Sequence, residues 1–190
     1  AQEAPPASTP TPPAQGTTAD PDSTSPGAQL VQLQEGDLRE IIGQKTLTMV
    51  NLWGTFCNPC LVEMPHLSEL AEEYADVGFQ IVGLVIDVMD AAGNVDPAMQ
   101  QLAQEIMADT GADNFTHLIP RDELSLALIS TSGGAVPTTF FFDQEGAQVG
   151  DLVLGARSKA DWTQIVEERL DMLEGAFPPD EEGAPGGPIT

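Results

Sequence analysis

Residues 46 to 60 constrain this chain more than any other stretch. Thr46-Leu47-Thr48-Met49-Val50-Asn51-Leu52-Trp53 is short, apolar and rich in strand formers, so it reads as a buried strand. Gly54 to Asn58 read as a turn. Pro59 then suits the first turn of a helix, where its missing N–H costs nothing. Cys57 and Cys60 therefore fall where a strand hands over to a helix. A cysteine there faces unpaired backbone N–H groups and the positive end of the helix dipole. Its thiolate is stabilised, and its pKa should fall below the free value of about 8.5. Cys60 lies about one helical turn further on, so the two sulfurs can bridge. In that arrangement Cys57 is the exposed attacker of a disulfide, and the more buried Cys60 resolves the mixed disulfide.

The pattern around this junction alternates. After Pro59, residues Leu61, Met64, Leu67, Ala71 and Tyr74 lie roughly on one helical face, with Pro65 predicted to kink the helix. Phe79 to Ile86 reads as a second buried strand, and Pro97 to Asp109 as an amphipathic helix facing inward through Met99, Leu102, Ala103, Ile106 and Met107. Phe115 to Ile119 reads as a short strand and Leu124 to Ile129 as a short helix. Thr138 to Phe142 and Gln148 to Leu154 form a predicted hairpin around Asp143-Gln144-Glu145-Gly146. Lys159 to Leu173 closes as a helix with Trp162, Ile165, Val166, Leu170 and Leu173 inside. This order predicts an α/β fold: a central mixed five-stranded sheet, parallel in its first part and antiparallel at the hairpin, with helices on both faces.

Composition sets the boundaries. Of the first 28 residues, 15 are Pro, Ser or Thr, and no large apolar residue precedes Leu30. Such a segment cannot bury enough surface to offset its ordering entropy, so residues 1–29 read as a disordered tether. Residues 175–190 contain 8 Gly or Pro and read as a flexible acidic tail. The domain, residues 30–174, keeps 24 of the 30 acids and all 6 bases. Phosphate binding needs Lys and Arg, so a net charge of -24 excludes nucleic acid as a partner and disfavours an anionic membrane surface. No apolar run approaches the roughly 18 residues of a membrane span.

The cysteine pair admits blander readings. A structural zinc site would need four ligands, and the chain offers Cys57, Cys60, His66 and His117 as its soft or imidazole donors, without a second C-x-x-C. An inert disulfide across so short a loop gives little entropic stabilisation. Two unrelated free thiols would leave the strand–turn–helix context without a purpose.

Trp53-Gly54-Thr55-Phe56-Cys57-Asn58-Pro59-Cys60, followed by Val62-Glu63-Met64-Pro65, resembles the active-site motif of the thioredoxin superfamily, and within it the TlpA/ResA-like thiol–disulfide oxidoreductases. A second signature is Ala135-Val136-Pro137-Thr138-Thr139-Phe140. The resemblance covers Leu30 to Leu173 and implies a thioredoxin-like fold. It implies that Pro137 follows a cis bond and faces the cysteines. Proline cannot donate a hydrogen bond, and it would leave the Val136 backbone free to pair with an extended substrate. Thioredoxin itself usually has Asp where this chain has Asn51, which cannot titrate. In the TlpA/ResA-like group an acidic residue after the motif takes part in the thiol chemistry, and Glu63 matches it. Burial would raise its pKa and make it a proton acceptor. Phe56 should shield the sulfurs, Trp53 should pack beneath them, and Asn58 and Pro59 should support the turn.

The resemblance further implies an extracytoplasmic enzyme that reduces disulfides of client proteins, such as apocytochrome c or a methionine sulfoxide reductase. A membrane thiol carrier of the CcdA/DsbD type would restore its dithiol. It would work as a monomer, held to a membrane only through an N-terminal anchor outside this chain, as a lipoprotein is. Its redox group would be the Cys57–Cys60 pair alone, with no other cofactor and no metal. A different class stays open: an SCO-like copper chaperone using Cys57, Cys60 and His117. Those relatives space their cysteines C-x-x-x-C, which this chain lacks.

Other residues carry weaker signals. His66 reads as a partly exposed surface residue and His117 as structural. Asp87, Asp90, Asn94 and Asp96 cluster without the spacing of an EF-hand, so a solvated loop is the better reading than calcium. Asn114-Phe115-Thr116 matches the short glycosylation pattern, and Met99 and Met107 read as core.

Overall fold

The computed structural model describes residues 34–176. The tether expected over 1–29, and residues 177–190 of the expected tail, lie outside the described residues. The elements in chain order are helix α1 (Leu38–Ile42), strand β1 (Leu47–Trp53), helix α2 (Asn58–Glu73), strand β2 (Phe79–Val85), helix α3 (Pro97–Thr110), strand β3 (Thr116–Leu118), helix α4 (Glu123–Ser132), strands β4 (Thr138–Asp143) and β5 (Val153–Leu154), and helix α5 (Lys159–Ala176). Short 3-10 turns precede β2 and β3.

The sheet order is β3-β2-β1-β4-β5. β1 pairs in parallel with β2, and β2 with β3, whereas β4 and β5 run antiparallel to their neighbours. This is the mixed five-stranded sheet that the alternating pattern predicts. β1 lies at its centre and is buried along its whole length. Its side chains alternate between two cores. Leu47, Met49 and Trp53 face one core with Met64 and Leu67 of α2, Met107 of α3 and Trp162 and Val166 of α5. Val50 and Leu52 face the other, with Leu38 and Ile42 of α1 and Leu128 of α4. Helices thus cover both faces.

Local chemistry sets the helix ends. Asp37, Asp96 and Asp122 each cap a helix by accepting backbone N–H bonds, and Pro97 opens α3. α2 runs continuously from Asn58 to Glu73 with Pro65 inside it. It is tied to α5 by Lys159, whose Nζ lies 2.8 Å from Glu69 and 3.1 Å from Glu73.

Several elements differ from the sequence pattern. The second hairpin arm was expected over Gln148 to Leu154, yet only Val153 and Leu154 pair as a strand. Gly150 breaks it, at φ +70°, and the Arg169 guanidinium lies where a side chain at 150 would stand. Arg169 is itself buried, 5.6 Å over the Phe141 ring and bonded to the Asp151 carbonyl. On α3, Leu102 is exposed and Gln104 is buried, so the inner face is rotated from the predicted one. α1 is too short to show a periodicity. α5 continues to Ala176, two residues past the expected domain boundary at 174.

Candidate active site

Cys57 caps α2, and Asn58 and Pro59 form its exposed first turn. The backbone N–H of Cys60 donates to the Cys57 sulfur at 3.2 Å, so the first cysteine receives the amide contact that a helix start provides. The two sulfurs are joined in a disulfide. Cys57 is 4% exposed and Cys60 fully buried, which leaves Cys57 as the accessible sulfur.

Phe56 is 68% exposed, and its ring lies against Gly54. Val62, on α2, is equally exposed. Val136 packs against the core cluster that contains both cysteines. The Val136–Pro137 peptide bond is cis. Pro137 is buried, and its carbonyl accepts the Gly155 N–H at 2.9 Å.

Glu63 lies on α2, three residues after Cys60, and is only 1% exposed. Its carboxylate meets three donors: Asn51 Nδ2 at 3.1 Å, the Arg157 backbone N–H at 3.1 Å and Trp162 Nε1 at 3.2 Å. Asn51 also donates to Thr139 Oγ1 at 3.0 Å, across the β1–β4 register that pairs these two residues. Burial raises the Glu63 pKa above the ordinary carboxylate value. The Arg157 amide, Asn51, Trp162 and the Arg157 charge oppose that rise without cancelling it. The three donors favour the ionised carboxylate and burial favours the acid, so neither form is fully suited to the site.

Trp53 packs beneath the site, fully buried, and its Nε1 donates to His117 Nδ1 at 3.1 Å. His117 Nε2 donates to the Ala112 carbonyl at 2.8 Å. Both ring nitrogens are engaged in the neutral form, and burial holds its pKa down at about 4. The copper alternative that enlisted His117 therefore finds no free nitrogen there. Among the described residues no group of three or more His, Cys, Asp or Glu side chains converges as a metal site.

The acids after β2 have local roles rather than forming a calcium loop. Asp90 accepts the backbone N–H groups of Ala92 and Asn94, and Asp96 caps α3. Asp87 reaches back to the loop before Cys57, accepting Thr55 N–H at 3.0 and 3.1 Å and Thr55 Oγ1 at 2.6 Å. Sequence reasoning missed Thr139, Arg157 and Trp162 around Glu63, and the Thr55–Asp87 tie. The last follows from the register of the sheet: β1 and β2 are parallel with Trp53 opposite Val85, and two more residues along each bring Thr55 to Asp87.

Fold and site together define a redox enzyme of the thioredoxin-like class, built on a dithiol–disulfide pair. The AhpC/TSA family matches residues 20–147, and the chain belongs to that family. The thiol-disulfide oxidoreductase ResA of Oceanobacillus iheyensis is 27% identical over 157 residues, covering 80% of this chain and 68% of the relative. ResA of Geobacillus thermodenitrificans is 29% identical over 145 residues, covering 76% of this chain and 75% of the relative. The chain spans 62% of the length of ResA from Bacillus thuringiensis, at 29% identity over 65% of this chain. A solved thiol:disulfide interchange protein of the thioredoxin family, from Chlorobium tepidum, aligns with a TM-score of 0.54 at 26% identity, over 69% of this chain and 83% of that one. The cysteine pair, the fold and these relatives make this chain a ResA-like thiol–disulfide oxidoreductase, whose clients carry disulfides.

Proposed function

We propose that the enzyme works in the reducing direction, on client proteins outside the cytoplasm. The observation that carries this reading is the Cys57–Cys60 pair at the start of α2, with the accessible sulfur at the amide-rich end and a buried carboxyl one helical turn beyond. In the dithiol form, the Cys57 thiolate attacks one sulfur of a client disulfide. The client S–S bond breaks, and the departing sulfur leaves as a thiolate that takes a proton from water. Cys60, its proton accepted by Glu63, then attacks the Cys57 sulfur of the mixed disulfide. The client leaves fully reduced and the Cys57–Cys60 disulfide forms. Two electrons pass from the dithiol to the client, so a thiol carrier must return two electrons for each turnover. A membrane protein of the CcdA/DsbD type would fill that role.

The client docks as an extended segment beside Val136. Among the described residues, neither the N–H nor the C=O of Val136 has a backbone partner, while the Pro137 carbonyl is already taken by Gly155. An incoming strand can therefore pair at Val136. Exposed Phe56 and Val62 offer apolar contact near the disulfide. Apocytochrome c with an oxidised haem site and an oxidised methionine sulfoxide reductase are clients of suitable chemistry. The dithiol is the only redox group this reaction requires, and the enzyme acts as a monomer. Among the described residues no helix is long and apolar enough to cross a membrane, so any anchoring would come from outside them.

The test is substrate trapping. A Cys60→Ala protein should accumulate mixed disulfides through Cys57, and Cys57→Ala should reduce no disulfide substrate. A Cys57→Ala protein that still turns over would overturn the reading. Measuring the reduction potential against glutathione checks the direction: a value well above about -200 mV would make the enzyme an oxidant instead.

A further inference from the structure

The loop that delivers Cys57 to the start of α2 is held by a side chain from the turn after β2. β1 ends at Trp53, whose carbonyl accepts the Ile86 N–H at 2.9 Å. Beyond that point the backbone ladder stops, because Gly54 to Cys57 turn away, closed by the Cys57 N–H on the Gly54 carbonyl at 3.0 Å. Asp87 continues the pairing with its side chain. Both carboxylate oxygens lie within 3.1 Å of the Thr55 N–H, and Oδ2 also accepts the Thr55 hydroxyl at 2.6 Å. A half-buried carboxylate thus gathers two donors from one residue, two positions before the sulfur. Charge-assisted bonds of this kind are about twice as strong as neutral ones. Their geometry fixes both the backbone and χ1 of Thr55.

We infer that Asp87 is a positioning residue for Cys57, acting through Thr55 to hold the loop so that the sulfur stays over the amides of α2. This rests on the reading of Cys57 as the nucleophile. Two effects of removing Asp87 have opposite signs. If the carboxylate acted only as a nearby negative charge, its loss would make the Cys57 thiolate easier to form and lower the thiol pKa. If it acts by position, its loss lets the sulfur drift from the amides, and the thiol pKa rises.

The experiment is the pH dependence of iodoacetamide alkylation at Cys57 in the reduced full-length protein, with the modified peptide identified by mass spectrometry. Asp87→Ala should raise the Cys57 pKa by about half to one unit and slow alkylation at pH 7 by about two- to fivefold. Asp87→Asn keeps an acceptor for Thr55 and should recover to within about twofold of the wild-type rate. Thr55→Val removes only the hydroxyl donor and should fall between the two; it carries the test if Asp87→Ala does not fold. An unchanged or lowered Cys57 pKa in Asp87→Ala would overturn the inference. So would a wild-type profile in Thr55→Val alongside equal defects in Asp87→Ala and Asp87→Asn. An ordinary thiol pKa in the unmodified protein would instead sink the parent reading of Cys57.

Discussion

Two buried ionisable side chains sit along one row of the sheet. Its register runs from Thr139 on β4 through Asn51 on β1 and Gly83 on β2 to His117 on β3. Glu63 comes down from α2 onto the Asn51 end, and the His117 ring lies over Gly83 at the other. Each receives an indole N–H, from Trp162 and Trp53 respectively. They differ in what their partners permit. His117 has one donor and one acceptor facing it, a set that only the neutral Nε2–H tautomer satisfies. Glu63 faces three donors, which suit the anion, while burial favours the acid. One environment therefore locks a single protonation state and the other balances two. The locked residue supports Trp53 beneath the cysteines; the balanced one stands a helical turn from Cys60.

The largest expected effect breaks the locked end. The His117 pKa falls from 6.5 unfolded to about 4 folded, so between those values the unfolded chain binds more protons than the folded one. Stability from this residue is complete above pH 6.5 and is lost as pH falls to 4, a change on the order of 3 kcal/mol. His117→Gln can keep both hydrogen bonds and cannot titrate in that range. It should be less stable than wild type at pH 7, through lost ring contact with Phe115, and that deficit should shrink by most of the 3 kcal/mol at pH 4. Denaturant unfolding at several pH values measures it. A deficit that does not change with pH would refute the locked neutral state.

Glu63→Gln acts at the balanced end. Asn51 can turn its amide to present Oδ1 to the new side-chain N–H, and Thr139 can then donate to the same oxygen. The fold should survive, with stability at pH 7 within about 1 kcal/mol of wild type. The folded carboxyl has a raised pKa, so above the unfolded value the wild type loses stability as pH climbs through that raised pKa, and the glutamine variant does not. Resolution of the mixed disulfide should slow by about 10²-fold, the usual scale for a lost general base. Stopped-flow release of client thiol after mixed-disulfide formation reads this step. Unaltered resolution would make Glu63 structural only.

This contrast was partly legible in the sequence. Short apolar runs gave β1 and β2, and Cys57, Cys60, Glu63 and Pro137 stood in short motifs. His117 read as structural from its place in a short apolar strand. The donors around Glu63 were not legible, because Arg157 and Trp162 lie 94 and 99 residues away in sequence. Trp162 was visible only as an apolar position on α5, since a helical pattern cannot tell a packing indole from one whose N–H is engaged. The broken β5 had a similar cause. Nothing near Gly150 announces that Arg169 will come to lie against it.

Trp162→Phe sharpens the comparison on a smaller scale. It removes the Trp162 bond to Oε2 and leaves the Arg157 amide there. The anion loses a donor, so the Glu63 pKa should rise further and the acid limb of the resolution rate should move to higher pH. A bond to a charged group is worth about 1.5–3 kcal/mol, and a stability loss of that order should accompany the shift. Stability lost without any movement of the acid limb would mean that the indole serves packing alone.

The smallest effect is expected where the row is anchored. Thr139 acts on Glu63 through Asn51; its Oγ1 accepts the second N–H of the Asn51 amide. Thr139→Val keeps the side chain's shape but leaves that buried N–H unpaired, which costs about 1 kcal/mol. Asn51 keeps its bond to Glu63, so the resolution rate and its acid limb should stay near wild type. If Thr139→Val instead shifted the acid limb as far as Trp162→Phe does, Asn51 would have swung away from the carboxylate when its second partner was lost. Thr139 would then be setting the orientation of that amide, and the balanced end of the row would reach across three elements from β4 to α2.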